Sequence, residues 1–122
     1  MKVKCRLLTF CLIVGFVLTS SPAFAYENHT GTLKSVRVKA NHHAHQALAI
    51  ILVNSSGAEV KLCASASDSF GYRGTGDAGG EAAVNRLLTI ATAAYLSGAQ
   101  VKVSLNYRDG RCILEQMALD PS

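Results

Sequence analysis

The segment Glu81 to Ser97, EAAVNRLLTIATAAYLS, is the long stretch beyond the first 25 residues that carries a clear helical period. Val84, Leu87, Leu88, Ala91 and Tyr95 recur at i, i+3, i+4, i+7 and i+11, while Asn85, Arg86, Thr89 and Thr92 lie mostly off that stripe. The pattern predicts an amphipathic helix. Gly98 stands just past its last periodic residue, where a left-handed closing residue is cheapest without a Cβ, and Glu81 suits the positive end of the helix dipole. One apolar face has to be buried, and the segments before and after read as strands, so the helix must cover β surface.

Residues 1–25 belong to a different argument. Lys2, Lys4 and Arg6 precede an apolar run from Leu7 to Leu18, and Ala23-Phe24-Ala25 follows, which is the pattern of a secretory signal. That run of 12 residues is short of the roughly 17 to 25 that cross a bilayer as a helix, so no membrane span is expected once the signal is removed. The mature chain then starts at Tyr26 and has 97 residues, enough for one small domain with a modest core. Removal of the signal leaves 9 Lys and Arg against 8 Asp and Glu, and this balance gives no electrostatic case for a nucleic-acid partner. It also leaves two cysteines, Cys63 and Cys112, which in an exported chain are most simply a disulfide.

Along the mature chain the period changes from 3.6 to 2. Thr30 to Lys39 reads as a first strand with Val36 and Val38 alternating against Ser35, Arg37 and Lys39. Ala40 to Gln46 is a polar connection without periodicity, and Ala47 to Val53, ALAIILV, is a second strand, apolar on both faces. Asn54 to Gly57 is a turn, after which Ala58 to Ala64 alternates as a third strand with Val60 and Leu62 on one side, completing a meander. Ser65 to Gly80 holds five glycines in 16 residues without an apolar period and reads as a long loop. Val101 to Tyr107 is a fourth strand, Asp109-Gly110 a hairpin turn, and Cys112 to Leu119 a fifth strand. The order β-β-β-α-β-β describes an all-β domain with one helix and fits a five-stranded, OB-fold-like Greek-key barrel whose helix plugs one end. A flat sheet with the helix across one face, or a cystatin-like sheet, is the alternative.

The candidate sites are few. Phe70, Tyr72 and Arg73 stand in the glycine-rich stretch, where aromatic faces and a guanidinium suit the CH faces and hydroxyl or carboxylate groups of a glycan; the alternative is that the rings fold back as a lid over the barrel. His43 and His45 are spaced to share a weakly held Zn²⁺ or Cu²⁺ if the backbone is extended, whereas the adjacent His42 points the other way; a solvated loop is the alternative. The glycines carry no phosphate-binding signature, no cofactor motif is present, and the absence of catalytic motifs gives no foothold for an enzyme. Asn28-His29-Thr30 and Asn54-Ser55-Ser56 fit the glycosylation sequon.

Several residues together resemble the subtilase-cytotoxin B-subunit-like group of bacterial pentameric toxin B subunits, small exported OB-fold proteins. They are Thr30-Gly31 at the start of the first strand, Leu62-Cys63-Ala64 at the end of the third, and Leu87-Leu88 leading through Ala94-Tyr95 to Ser97-Gly98-Ala99-Gln100-Val101. The chain departs from that group in having no tryptophan. The resemblance implies a periplasmic or secreted binding module with a glycan or protein partner. It also implies a homo-oligomeric ring, a pentamer, in which the wide apolar surface of the helix, with Ile90 and Ala94 beside the main stripe, faces the axis. A structural or accessory envelope protein without a small ligand is the competing expectation.

Overall fold

The computed structural model describes residues 26–40 and 43–120; the expected signal over 1–25 lies outside these residues, as does His42. Five strands and one helix follow in the order β1 (Tyr26–Val38), β2 (Leu48–Val53), β3 (Gly71–Arg73), α1 (Gly80–Ser97), β4 (Gln100–Arg108) and β5 (Arg111–Leu119). They form one sheet that closes on itself in the order β1-β2-β3-β5-β4. All neighbours are antiparallel except β3 and β5, which run parallel where Tyr72 meets Ile113.

Closure depends on the 13 residues of β1, which begins four positions before the expected strand. Tyr26–Thr32 pairs with β4 and Thr32–Val38 pairs with β2, so one strand serves two neighbours and has to bend between them. The bend coincides with a bulge, since Leu33 faces Leu52 while Ser35 already faces Ile51 and Lys34 is the extra residue. A second bulge lies in β5, where Ser104 faces Gln116 and Leu105 faces Leu114, leaving Glu115 unpaired. Each bulge shifts the side-chain alternation by one position. Leu33 and then Val36 turn inward on β1, and Leu114 and then Met117 on β5, so that Gln116 stays outside.

The barrel interior is filled by Leu48, Ile50 and Leu52 of β2, Val101, Val103 and Leu105 of β4 and Leu114 of β5, all without solvent exposure. Burying each such aliphatic side chain contributes about 1.5–3 kcal/mol. Helix α1 packs against β1 and β5. Its buried residues are Val84, Leu87, Ala91 and Ala94. Tyr95, expected on the buried stripe, is instead 51% exposed. A period of 3.6 admits either 94 or 95 in the fourth turn, and the alanine methyl fits the closest approach of helix and sheet where a phenol ring does not. Gly98 closes the helix in the left-handed conformation and donates its N–H to Ala94 O.

Two expectations need correction. Ala58–Ala64 is not the third strand: it makes a single bridge, Glu59 to Val53, and the third strand is Gly71–Arg73, inside the segment read as a loop. Adjacent Leu62 and Cys63 are both fully buried, so the segment does not show the one buried and one exposed face expected of it. Side chains of β1 take the backbone groups that a ladder would have used. His29 Nε2 lies 3.0 Å from Leu62 O, so this nitrogen carries the ring proton, and the Glu27 carboxylate accepts the Ala64 N–H at 3.0 Å. Val38, expected to face inward, is 49% exposed at the end of β1.

The expected disulfide joins Cys63 to Cys112 across 49 positions. It ties the segment ahead of β3 to the start of β5. The expected hairpin turn is also present: Asp109 and Gly110 both have positive φ, 55° and 73°, and Arg108 faces Arg111 across them, as a type I′ turn requires.

Candidate functional site

On β3 the alternation of side chains decides which residues meet. Gly71 and Arg73 are buried while Tyr72, between them, is partly exposed on the outer face. In the register Tyr72 stands between Ala49 and Ile113, and Ala49 stands beside Arg37, so Arg37, Ala49, Tyr72 and Ile113 form one row across four strands. Ala49 and Ile113 are 3% and 2% exposed although neither belongs to the barrel core, so other side chains cover them on the outside.

Phe70 lies on Tyr72 with ring centroids 5.6 Å apart and planes inclined by 26°, and Arg37 Cζ sits 4.8 Å from the centre of the Phe70 ring. Asp68 fixes this arrangement from one side. Its Oδ1 accepts the Phe70 N–H at 3.2 Å and its Oδ2 accepts the Tyr72 hydroxyl at 2.9 Å, an Asx turn with a second function. Burial, and then the neighbouring Asp68 carboxylate, push the Tyr72 hydroxyl above its ordinary pKa, outweighing the opposite effect of the Arg37 charge. Tyr72 and Asp68 also line a cleft of about 260 Å³ together with Gln46, Tyr107 and Arg111. The result is a two-ring ledge beside a polar hollow.

Arg73 is not part of the ledge. It points to the opposite side of β3, is 5% exposed, and donates from Nη1 to Leu114 O at 3.1 Å and from Nη2 to Ala78 O. The Glu115 carboxylate, on the β5 bulge, lies 3.4 Å from Nη1. The residues after Arg73 are braced by Asp77, which accepts a bidentate pair of hydrogen bonds from Arg111 at 2.9 and 3.0 Å and the Gly74 N–H at 2.7 Å. Burial alone would raise the Asp77 carboxyl, but the hydrogen bonds from Arg111 and Gly74 and the charges of Arg111 and Arg73 hold it below the usual carboxylate range.

The same brace reaches the histidines. Arg111 donates to His45 O at 2.6 Å, and Thr75 and Gly76 donate their N–H groups to His43 O and Ala44 O, both at 3.0 Å. The structure brings the rings of His43 and His45 to 6.3 Å. His43 Nδ1 accepts the N–H groups of His45 and Gln46 at 3.1 and 2.9 Å, so the ring proton of the neutral imidazole lies on Nε2 and, in this arrangement, neither nitrogen offers a free lone pair to a metal. Among the described residues no group of three or more His, Cys, Asp and Glu side chains is placed to hold a metal ion. Arg37, Asp68 and Asp77 are site residues that the sequence did not single out. Asp68 was legible as an Asx residue two positions before Phe70; Arg37 and Asp77 depend on strand register and tertiary contact. Compared with protein-family models, curated proteins and solved structures, the chain matches none.

Proposed function

We propose that this chain is an exported, non-enzymatic binding module with an OB-fold type of barrel, which presents Phe70 and Tyr72 to a glycan or to a protein partner. The observation that carries the reading is the Phe70–Tyr72 pair, stacked at 5.6 Å, partly exposed and held by Asp68 beside a polar hollow. Ring faces take the CH faces of a sugar, and the Asp68 carboxylate and Arg111 guanidinium flank them as hydroxyl partners. The strand order β1-β2-β3-β5-β4, with the helix between β3 and β4, supports the barrel type. The Cys63–Cys112 bridge supports an oxidising compartment, and with it a periplasmic or secreted location.

The test is binding to a glycan array by the unmodified protein and by Tyr72→Ala. Loss of signal in the variant at unchanged far-ultraviolet dichroism supports the reading, and equal signal from both proteins ends it. A second reading, an accessory envelope protein without a small ligand, draws on Ala49 and Ile113: both are sealed on the outside of the barrel, a task the two rings can perform. Under that reading Tyr72→Ala lowers stability and changes no binding.

A further inference from the structure

A second cleft, of about 650 Å³, shares no lining residue with the first. Leu87 of α1 and Met117 of β5 form its apolar part; Arg86 of α1 and Lys102 of β4 stand over it, both exposed. A smaller hollow of about 270 Å³ continues it past Asn28, Ser104, Glu115 and Gln116.

The charges in this cleft do not balance. Glu115 is the one carboxylate that lines it, and it already faces Arg73. Arg86 and Lys102 make no hydrogen bond or ion pair with any described residue. Arg73 also lines the cleft, and its buried Nε–H finds no acceptor among the described residues, although both terminal nitrogens do. A buried N–H left without a partner costs stability, and so do like charges gathered from a helix and two strands. An anion in the cleft offsets the gathered charge. Neutral donors are at hand as well: Ser104 Oγ donates to Asn28 Oδ1 at 2.5 Å, which leaves the Asn28 amide N–H₂ free to donate, and Gln116 is exposed.

We propose that this cleft binds a small organic anion, a carboxylate or phosphate monoester attached to an apolar group, with its acid between Arg86 and Lys102 and its apolar part on Leu87 and Met117. The proposal is independent of the ledge carrying Phe70 and Tyr72. The volume is that of a small-molecule site, and a guanidinium beside an ammonium is a common pairing for either acid.

The test is titration of the ¹⁵N-labelled protein with benzoate, phenyl phosphate and uncharged benzyl alcohol, following the amides of Ser104 and Gln116. The expected result is saturable shifts with at least one acid at a Kd of about 5 mM or tighter, and binding about tenfold or more weaker for benzyl alcohol. Which acid binds distinguishes carboxylate from phosphate chemistry. The double variant Arg86→Gln with Lys102→Gln changes only exposed side chains and is expected to weaken the acid about tenfold or more, whereas Lys61→Gln, an exposed cation elsewhere, leaves it unchanged. No saturable shift with either acid, equal binding of benzyl alcohol, or equal weakening by Lys61→Gln overturns the proposal.

Discussion

Reduction of the Cys63–Cys112 bridge removes a constraint on a loop of 49 positions that contains β3, α1 and β4. In the chain-entropy treatment, closing a loop of that length lowers the entropy of the unfolded chain by an amount that stabilises the fold by about 4 kcal/mol. A domain of this size has in all only about 5–15 kcal/mol. Since a change of 1 kcal/mol moves the midpoint of such a domain by roughly 4–8 °C, the reduced protein should melt roughly 15–30 °C lower. Both cysteines are almost fully buried, 0% and 2% exposed, so reductant reaches the bridge only through the unfolded chain. The assay is therefore unfolding in urea with a phosphine reductant, refolding under reductant, and a thermal scan beside the oxidised protein. Reduction keeps both sulfur atoms in the core, so the comparison isolates the cross-link from the cavity that Cys→Ala would add. A difference below about 5 °C would refute the reasoning, because it would mean that the unfolded chain already holds Cys63 near Cys112 or that the bridge strains the fold.

Asp77 titrates below an ordinary carboxylate, so the folded state binds its proton more weakly than the unfolded chain does. Its contribution to stability is complete above the unfolded value, about 4, and is lost as pH falls through the lower folded value. In Asp77→Asn the acid limb of the stability profile should flatten and the protein should be weaker at pH 7, both read from urea midpoints; an unchanged acid limb would contradict the assignment. Gly74→Ala places a Cβ into Ala44 O, where the surrounding backbone is pinned by the hydrogen bonds from Thr75 and Gly76. A loss of about 2 kcal/mol or more is expected in the same assay, and a change within 0.5 kcal/mol, the scatter of neutral surface substitutions, would show that the loop yields.

The sequence displayed most of the fold through period alone. Val101, Val103 and Leu105 alternate in an unbroken run, and the helical stripe through Val84, Leu87 and Ala91 has no competing pattern. What period could not reveal is what tertiary structure decides. Val60 and Leu62 alternate as a strand would, yet the side chains of Glu27 and His29, 37 and 33 positions away, occupy that segment's backbone groups. The strand that replaces it has three residues, too few for any period to register. The bulges did leave a trace. Leu33 and Val36, and again Leu114 and Met117, are apolar residues three apart that both turn inward, which is the spacing one inserted residue produces.

The shortness of β3 also explains why the candidate site was only partly legible. Phe70, Tyr72 and Arg73 look like one cluster when the segment is taken for a loop, because a loop imposes no rule on the direction of neighbouring side chains. Once 71–73 is a strand, Tyr72 and Arg73 must leave on opposite faces. Tyr72 then joins Phe70 and Arg37 on the outer ledge, while Arg73 crosses to the β5 bulge and meets Glu115 in the other cleft. Gly71, beside them, has no side chain because a Cβ there would sit 2.8 Å from Leu105 Cδ2 and 3.1 Å from Leu62 Cδ1. Three consecutive residues thus belong to three places: the core, the ledge and the second cleft. Replacing Arg73 would release the β5 bulge and leave Ala78 O unpaired, so lost binding in such a variant says little about which face binds. Tyr72 and the pair Arg86 and Lys102 each touch one face only, and for that reason they separate a ligand on the ledge from an anion in the cleft.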